Sequence, residues 1–250
     1  MTREGVLALI GSTPLVRLRR CAPPNGAELW IKLEYTNPTG SMKDRVALSM
    51  IEGAERDGLL DPGTTVVEYT GGSTGPALAL VCGAKGYAAK IVISACFSEE
   101  RMQLMRALGA DLEVIDAAEG PGKVTAEDIH RMVARTAELA AAPGTYATDQ
   151  FNNPYVVPGH RDMLGREIWE QTDGRVTAFC HGVGTAASIM GVAQALRLSR
   201  EEGIFAGISS GANVVGAHRL AEKLGPEAVI VTLAVDTGFK YMTVAPYLGL

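Results

Sequence analysis

The chain has 250 residues, 47% of them apolar, which suits one large domain or two modest lobes and excludes a disordered chain. Its formal net charge is -5 with the basic residues dispersed, so no basic stripe is available to neutralise a nucleic-acid backbone or an anionic membrane. No run of about 18 apolar residues exists to span a bilayer, and MTREGVLALIGSTPLV lacks the apolar length of a signal peptide. A small-molecule partner and a cytoplasmic location are therefore expected.

In chain order, short β-branched runs alternate with longer stretches of helical period. LWIKLEY (29 to 35) predicts a strand and KDRVALSMIEGAERDG a helix; TTVVEY (64 to 69) is followed by TGPALALVCGAKG, and AKIVISA (89 to 95) by SEERMQLMRALGA. DLEVID (111 to 116) precedes a helix expected from Ala126 to Ala142, VTAFCHG (176 to 182) carries its own helix, and AVIVTLAVD (228 to 236) lies near the end. Strand then helix, repeated, predicts an α/β protein with mostly parallel sheets covered by helices on both faces. Ser41 and Ser98 are candidate helix caps, and AAPGT (141 to 145) is the strongest mid-chain break. Met102, Met105 and Leu108 recur at a spacing that suits core packing better than a cofactor box.

Chemistry-bearing residues gather in three places. EYTGGSTGPALAL (68 to 80) and CHGVGTAASIMGVAQAL (180 to 196) each run from a strand through glycines and hydroxyls into a helix, which points free backbone N–H groups at an anion; tight strand-to-helix turns would read the same way. Two such loops suit a ligand system with two anionic groups. Gly182-x-Gly184-x-x-Ala187 also matches the dinucleotide fingerprint, but Glu201 and Glu202 lie in a polar, helical-looking stretch and not at a strand end where the fingerprint needs its acid.

Lys43 stands just inside a helix start, where the positive end of the helix disfavours an ammonium by roughly 0.3–1 kcal/mol. Burial in that field would leave more neutral amine, as a Schiff-base lysine requires; snorkelling to solvent or pairing with Asp44 or Glu34 is the plain alternative. The four cysteines, Cys21, Cys82, Cys96 and Cys180, are widely spaced and read as structural thiols of a reducing compartment. His130, His160, His181 and His218 have no metal-ligand spacing, and no metal is expected; His181 lies beside the second glycine loop. Asp236 and Tyr241 can reach a site edge or simply form a strand-end turn.

With these residues in view the chain resembles the cysteine synthase and cystathionine β-synthase family of pyridoxal 5'-phosphate enzymes, the tryptophan synthase β-like fold (fold type II). The matching stretches are IGSTPLVRL (10 to 18), NPTGSMKDR (37 to 45), EYTGGSTG, RMQLMRALGA (101 to 110), TDQFNNP (148 to 154), GREIWEQTDGRV (165 to 176), GVGTAAS (182 to 188), EEGIFAGISSGAN (201 to 213) and VDTGFKYMT (235 to 243). The resemblance implies that Lys43 bonds covalently to the cofactor and serves as acid and base at the substrate α-carbon. It implies that Thr70, Gly71, Ser73 and Thr74, joined by Gln150, hold the substrate carboxylate. Ser73 stands where the family usually has an asparagine bonding the cofactor's 3'-oxygen. Gly182, Gly184, Thr185, Ala186, Ala187 and Ser188 match the phosphate cradle, and Ser209 matches a serine facing the pyridine nitrogen, a neutral partner that suits β-elimination better than transamination. The implied reaction is β-replacement, in which an O-acetylserine-like substrate loses its β-substituent through an aminoacrylate and sulfide adds to give cysteine, in a homodimer.

Two departures bear on this expectation. The carboxylate loop reads T-G-G-S-T-G where the best-known members read T-S-G-N-T-G, which leaves substrate choice open and favours, as the alternative, a lyase such as a cysteine desulfhydrase or a serine/threonine dehydratase. Between GVAQALR (191 to 197) and LSREEG (198 to 203) a family block of roughly 60–80 residues, judged at about 30 per βαβ unit, is missing. That loss favours a third possibility, a shortened paralogue with a binding role. The expected lobes are 36–145, smaller and carrying the lysine and carboxylate loop, and 1–35 with 146–250, larger and carrying the cradle.

Overall fold

The computed structural model describes residues 4–182 and 201–241. The chain divides into two compact units, one formed by Met1–Ile10 with Lys43–Arg161 and the other by Gly11–Met42 with Asp162–Leu250. The boundaries expected at 36 and 145 thus fall at 43 and 161, the first ten residues join the first unit, and the two units are nearly equal in length. AAPGT is no boundary. It is the turn that feeds the last strand of the first unit, where the Thr145 hydroxyl donates to the carbonyls of Leu139, Ala140 and Ala142.

The first unit holds α1 (Lys43–Arg56), β3 (Thr65–Tyr69), α2 (Thr74–Lys85), β4 (Ala88–Ser94), α3 (Glu99–Ala107), β5 (Asp111–Ile115), α4 (Ala126–Ala140), β6 (Thr145–Ala147) and the short α5 (Val156–His160). Its sheet has the order β5-β4-β3-β6 with every pair parallel. The chain steps from β3 to β4 to β5 in one direction and then jumps back to β6. Right-handed crossovers therefore put α2 and α3 on one face and α4 on the other. Coverage of both faces explains why Val66, Val67, Ile91, Val92 and Ile93 are fully buried and why these strands read as unbroken apolar runs.

Each helix follows from local chemistry. In α1, Val46, Ala47, Met50, Ile51 and Ala54 recur on one buried face. Pro76 sits in the first turn of α2, where its missing N–H breaks no helical bond, and Gly86 ends the helix in the left-handed region with φ 83° while its N–H reaches the carbonyls of Cys82 and Gly83. Thr125 and Asp128 form a full capping box on α4. Asp128 also accepts from the N–H of Ala118 and the hydroxyls of Thr125 and Ser94, and this set of donors, that from Ala118 first, holds its carboxyl far below the usual carboxylate range. Ser98 occupies the N-cap of α3 as expected, although its side chain makes no capping hydrogen bond. Ser41 pairs with Asp236 in an isolated antiparallel bridge, and α1 opens two residues later. Met102 and Met105 are buried in the core, as their spacing predicts.

The second unit has β1 (Leu15–Arg17), β2 (Glu28–Leu33), β7 (Ala178–Cys180) and β8 (Val229–Ala234) in the order β1-β2-β8-β7, with β1 antiparallel and the other pairs parallel. A helical run enters it through a π turn (Arg161–Gly165) and α6 (Arg166–Gln171), and α7 (Ile208–Leu224) packs on β7 and β8. Lys32, with no exposed surface, is held by Glu167 at 2.7 Å, Gln171 at 2.8 Å and the Thr13 carbonyl at 2.6 Å. A buried ammonium is tolerable only when paired and hydrogen-bonded in this way. Cys21, Cys82 and Cys96 are buried free thiols, and burial pushes the Cys82 thiol up to about 12, which makes it inert.

Candidate active site

In the first unit β3 is flanked by β4 on one side and β6 on the other, so the chain reverses its winding between β3 and β6. Ligands of parallel sheets settle at the carboxyl ends of strands at such a switch point. Two loops meet there. Thr70–Ser73 leaves β3 and enters α2, and Thr148–Gln150 leaves β6. The Thr74 hydroxyl donates to Oε1 of Gln150 at 2.7 Å, Nε2 of Gln150 reaches the Tyr69 carbonyl at 3.4 Å, and the N–H of Gly72 donates to the Thr70 hydroxyl at 3.0 Å. Ser73 has helical dihedrals at the N-cap of α2 and no side-chain capping bond, so the start of α2 keeps backbone N–H groups for an anion. The loop residues Thr70, Gly71, Ser73 and Thr74, expected to bind a carboxylate, and the distant Gln150 thus lie at one end of the sheet.

Beneath them lies Glu68, which sequence reasoning passed over. It has no exposed surface, and it accepts from the Thr148 hydroxyl at 2.6 Å and from the N–H groups of Gln150 and Tyr69, both at 3.0 Å. Burial raises the pKa of this carboxyl against those hydrogen bonds. Its position as the first residue of EYTGGSTG, on a strand otherwise apolar, was the available signal. Arg101, on α3, donates to the Gly71 carbonyl at 2.7 Å from the other side.

Lys43 opens α1 at the end of a turn made rigid by its own side chains. Asn37 accepts from the N–H of Gly11 at 2.8 Å and donates to the Glu34 carbonyl at 2.8 Å, and its own carbonyl takes the N–H of Gly40 at 2.8 Å. Gly40 has φ 73°, a left-handed position that favours glycine, and a Cβ there would lie 3.1 Å from Thr237. The N–H of Met42 then bonds the Val235 carbonyl at 3.1 Å. These contacts join IGSTPLVRL, NPTGSMKDR and VDTGFKYMT, three of the family-like stretches, within the second unit. Lys43 is only partly exposed, and burial lowers the pKa of its amine, which favours the neutral nucleophile and runs against the snorkelling alternative.

The second unit places Gly182 just after β7, with its N–H donated to Oδ1 of Asn213 at 2.8 Å. Asn213, on α7, also donates to the Leu233 carbonyl at 3.0 Å and lies 3.1 Å from Nδ1 of His181. It ties the start of the expected cradle to the end of β8, another residue that only its place in GISSGAN announces. Ser209 sits in the first turn of α7, half-buried. Gly184, Thr185, Ala186, Ala187 and Ser188 lie outside the described residues, as does the junction at 197/198. Within the first unit, a part-buried lysine amine at the start of α1 and a glycine-rich strand-to-helix loop suit the aldehyde and an anionic group of a pyridoxal phosphate system.

Comparison with known proteins agrees. The model of the family "Pyridoxal-phosphate dependent enzyme" matches residues 6–200. Cysteine synthase B of Escherichia coli is 36% identical over 290 aligned positions that cover 94% of this chain and 93% of that protein. Those positions outnumber the residues of this chain, so the relative carries residues that this chain lacks. Among solved structures, O-ureido-L-serine synthase superposes with a TM-score of 0.89 at 30% identity, covering all of this chain and 96% of that one. O-acetylserine sulfhydrylase isoform 3 from Entamoeba histolytica gives 0.89 at 25% identity over 100% and 93%. An α/β frame, a part-buried lysine at the start of α1 and these likenesses converge on one conclusion: the chain belongs to the family of pyridoxal-phosphate dependent enzymes.

Proposed function

We propose that the protein catalyses β-replacement on an O-activated L-serine, with O-acetylserine as reference substrate and sulfide as nucleophile, releasing acetate and L-cysteine. The observation that supports this reading is the meeting of Thr70–Thr74 with Gln150 at the switch point of a parallel sheet, where the start of α2 and the loop hydroxyls would receive a carboxylate. Pyridoxal phosphate supplies an aldehyde for covalent attachment and a ring that withdraws electrons from the substrate α-carbon. Lys43 would provide the amine for that attachment and would take the substrate α-proton and return it. Thr70, Gly71, Ser73, Thr74 and Gln150 orient the carboxylate, so that the α-proton stays beside Lys43 and proximity contributes to the rate. Gly182, Gly184, Thr185, Ala186, Ala187 and Ser188 would hold the phosphate, and Ser209 would serve the ring nitrogen as a neutral hydrogen-bonding partner.

The relatives' cysteine synthase names support this reading, and the O-ureido-L-serine synthase likeness supports a β-replacement enzyme whose nucleophile differs. Buried free thiols suit a cytoplasmic enzyme, and a homodimer follows from the resemblance. Glycine in place of the usual serine at position 71 favours a second reading, a lyase that admits water. Incubation with O-acetylserine and sulfide is expected to yield cysteine and acetate in equal amounts. Hydrogen sulfide from cysteine alone, with no cysteine formed from O-acetylserine, would establish the lyase instead.

A further inference from the structure

The Phe97 ring fills the space that a side chain at position 71 would need. A Cβ on Gly71 would lie 2.1 Å from Cζ of Phe97 and 2.2 and 2.3 Å from its two Cε atoms. Gly71 is absent from the glycines with positive φ, so room for the ring, and not backbone freedom, requires glycine here. Its neighbour Gly72 meets nothing closer than the Thr70 hydroxyl at 3.8 Å. Phe97 itself stands on a fixed turn. Its N–H bonds the Ser94 carbonyl at 3.1 Å, the Ser94 hydroxyl donates to Asp128 at 2.8 Å, and the Cys96 carbonyl takes the N–H of Gly122 at 2.9 Å. The ring packs against the buried core of the first unit. Arg101, four residues on, holds the Gly71 carbonyl, and the N–H of Thr70 is held by the Val92 carbonyl at 3.1 Å.

We propose that Phe97 is a positioning residue of this active site: its ring takes the place of the side chain usual at position 71 and holds the Thr70–Thr74 backbone in the form that receives the amino-acid carboxylate. The proposal rests on the carboxylate-binding role given to that loop above. With no hydroxyl at 71, the loop recognises the carboxylate through its N–H groups and its remaining hydroxyls alone, so their placement decides affinity. Removing the ring leaves Gly71, the most flexible residue type, unsupported on one side. Binding of the amino acid should weaken while the chemical step and the second substrate are unaffected, because the interaction lost is equal in ground and transition states.

The test uses the cofactor-loaded protein and three variants, Phe97→Ala, Phe97→Tyr and Gly71→Ser with Phe97→Ala. L-Alanine, which has the α-carboxylate and no leaving group, is titrated calorimetrically, and steady-state constants are measured for O-acetylserine and sulfide. The expected result for Phe97→Ala is about tenfold weaker L-alanine binding and a similar rise in KM for O-acetylserine, with kcat and the KM for sulfide within about twofold. Phe97→Tyr, which keeps the ring, should restore the parent values. The double variant should bind more tightly than Phe97→Ala, since the new side chain fills the vacated space. Melting of the cofactor-free variants reports whether the fold is intact. Unchanged L-alanine affinity in a folded Phe97→Ala protein, or equal losses for both substrates, overturns the proposal. A parent protein that binds L-alanine without turning over O-acetylserine would end the β-replacement reading and leave this test standing; one that binds no amino acid would end both.

Discussion

At the residue scale, Lys43 and Glu68 show how burial sets the chemistry of a charged group. Burial lowers the lysine's pKa, so between that depressed value and the ordinary lysine range the unfolded chain holds a proton that the folded chain lacks. Stability of the cofactor-free protein therefore rises with pH across this window. Replacing Lys43 by Met is expected to raise the urea midpoint near neutral pH, with the gain shrinking as pH climbs towards the lysine range; urea melts at several pH values measure it, and a gain independent of pH would contradict the burial account. Glu68 is the reverse case, a carboxyl raised by desolvation yet accepting three hydrogen bonds. A glutamine there turns one acceptor into a donor facing an N–H or hydroxyl. Glu68→Gln should destabilise by about 1–3 kcal/mol and weaken amino-acid binding through the displaced Gln150, read by chemical denaturation and substrate titration. Lys43 was legible in the sequence because a lysine at a helix start is electrostatically anomalous. Glu68 and Asn213 were not, because their partners, Gln150 and Gly182, lie 82 and 31 positions away.

At the element scale, the strands and helices with strong periodicity were legible to within a few residues, from β2 through α4 and again at β8. The three-residue strands β1 and β6 and the helices α5, α6 and α7 were not marked as such. The β1 and β6 stretches lack the β-branched run that marks the equally short β7 in VTAFCHG, and α7, built from ISSGANVVGAHRLAEKL, begins with small and polar residues whose helicity comes from packing on β7 and β8. Helix α1 offers a test of packing against propensity. A Cβ on Gly53 would lie 2.2 Å from the Tyr155 ring, whose hydroxyl donates to Asp57 at 2.7 Å. Alanine normally improves a helix interior by roughly 0.5–1 kcal/mol over glycine. Gly53→Ala is nevertheless expected to destabilise by about 1–3 kcal/mol, as overpacking does. A more stable variant in thermal melts would mean that Tyr155 moves aside freely.

At the scale of the whole molecule, two units each have an apolar core of their own, and their edges differ from the expected 36 and 145 because the chain crosses between units after Ile10, at Lys43 and within the π turn. The alignment with cysteine synthase B is longer than the chain, as expected if this chain lacks a block that its relative carries. A ligand that binds the folded state alone stabilises it by about 2.7 kcal/mol at one hundred times its dissociation constant. Pyridoxal phosphate should therefore raise the melting temperature of the cofactor-free protein in a concentration-dependent way, and pyridoxal without phosphate should do so less. Equal shifts for the two compounds would argue against a phosphate cradle at 182–188.

The most direct measurement is mass spectrometry of peptides from the cofactor-loaded protein after borohydride reduction. The account predicts a single pyridoxyl-phosphate adduct on the peptide containing Lys43, lost in Lys43→Ala. A stable adduct on any other lysine, or none at all, would contradict it.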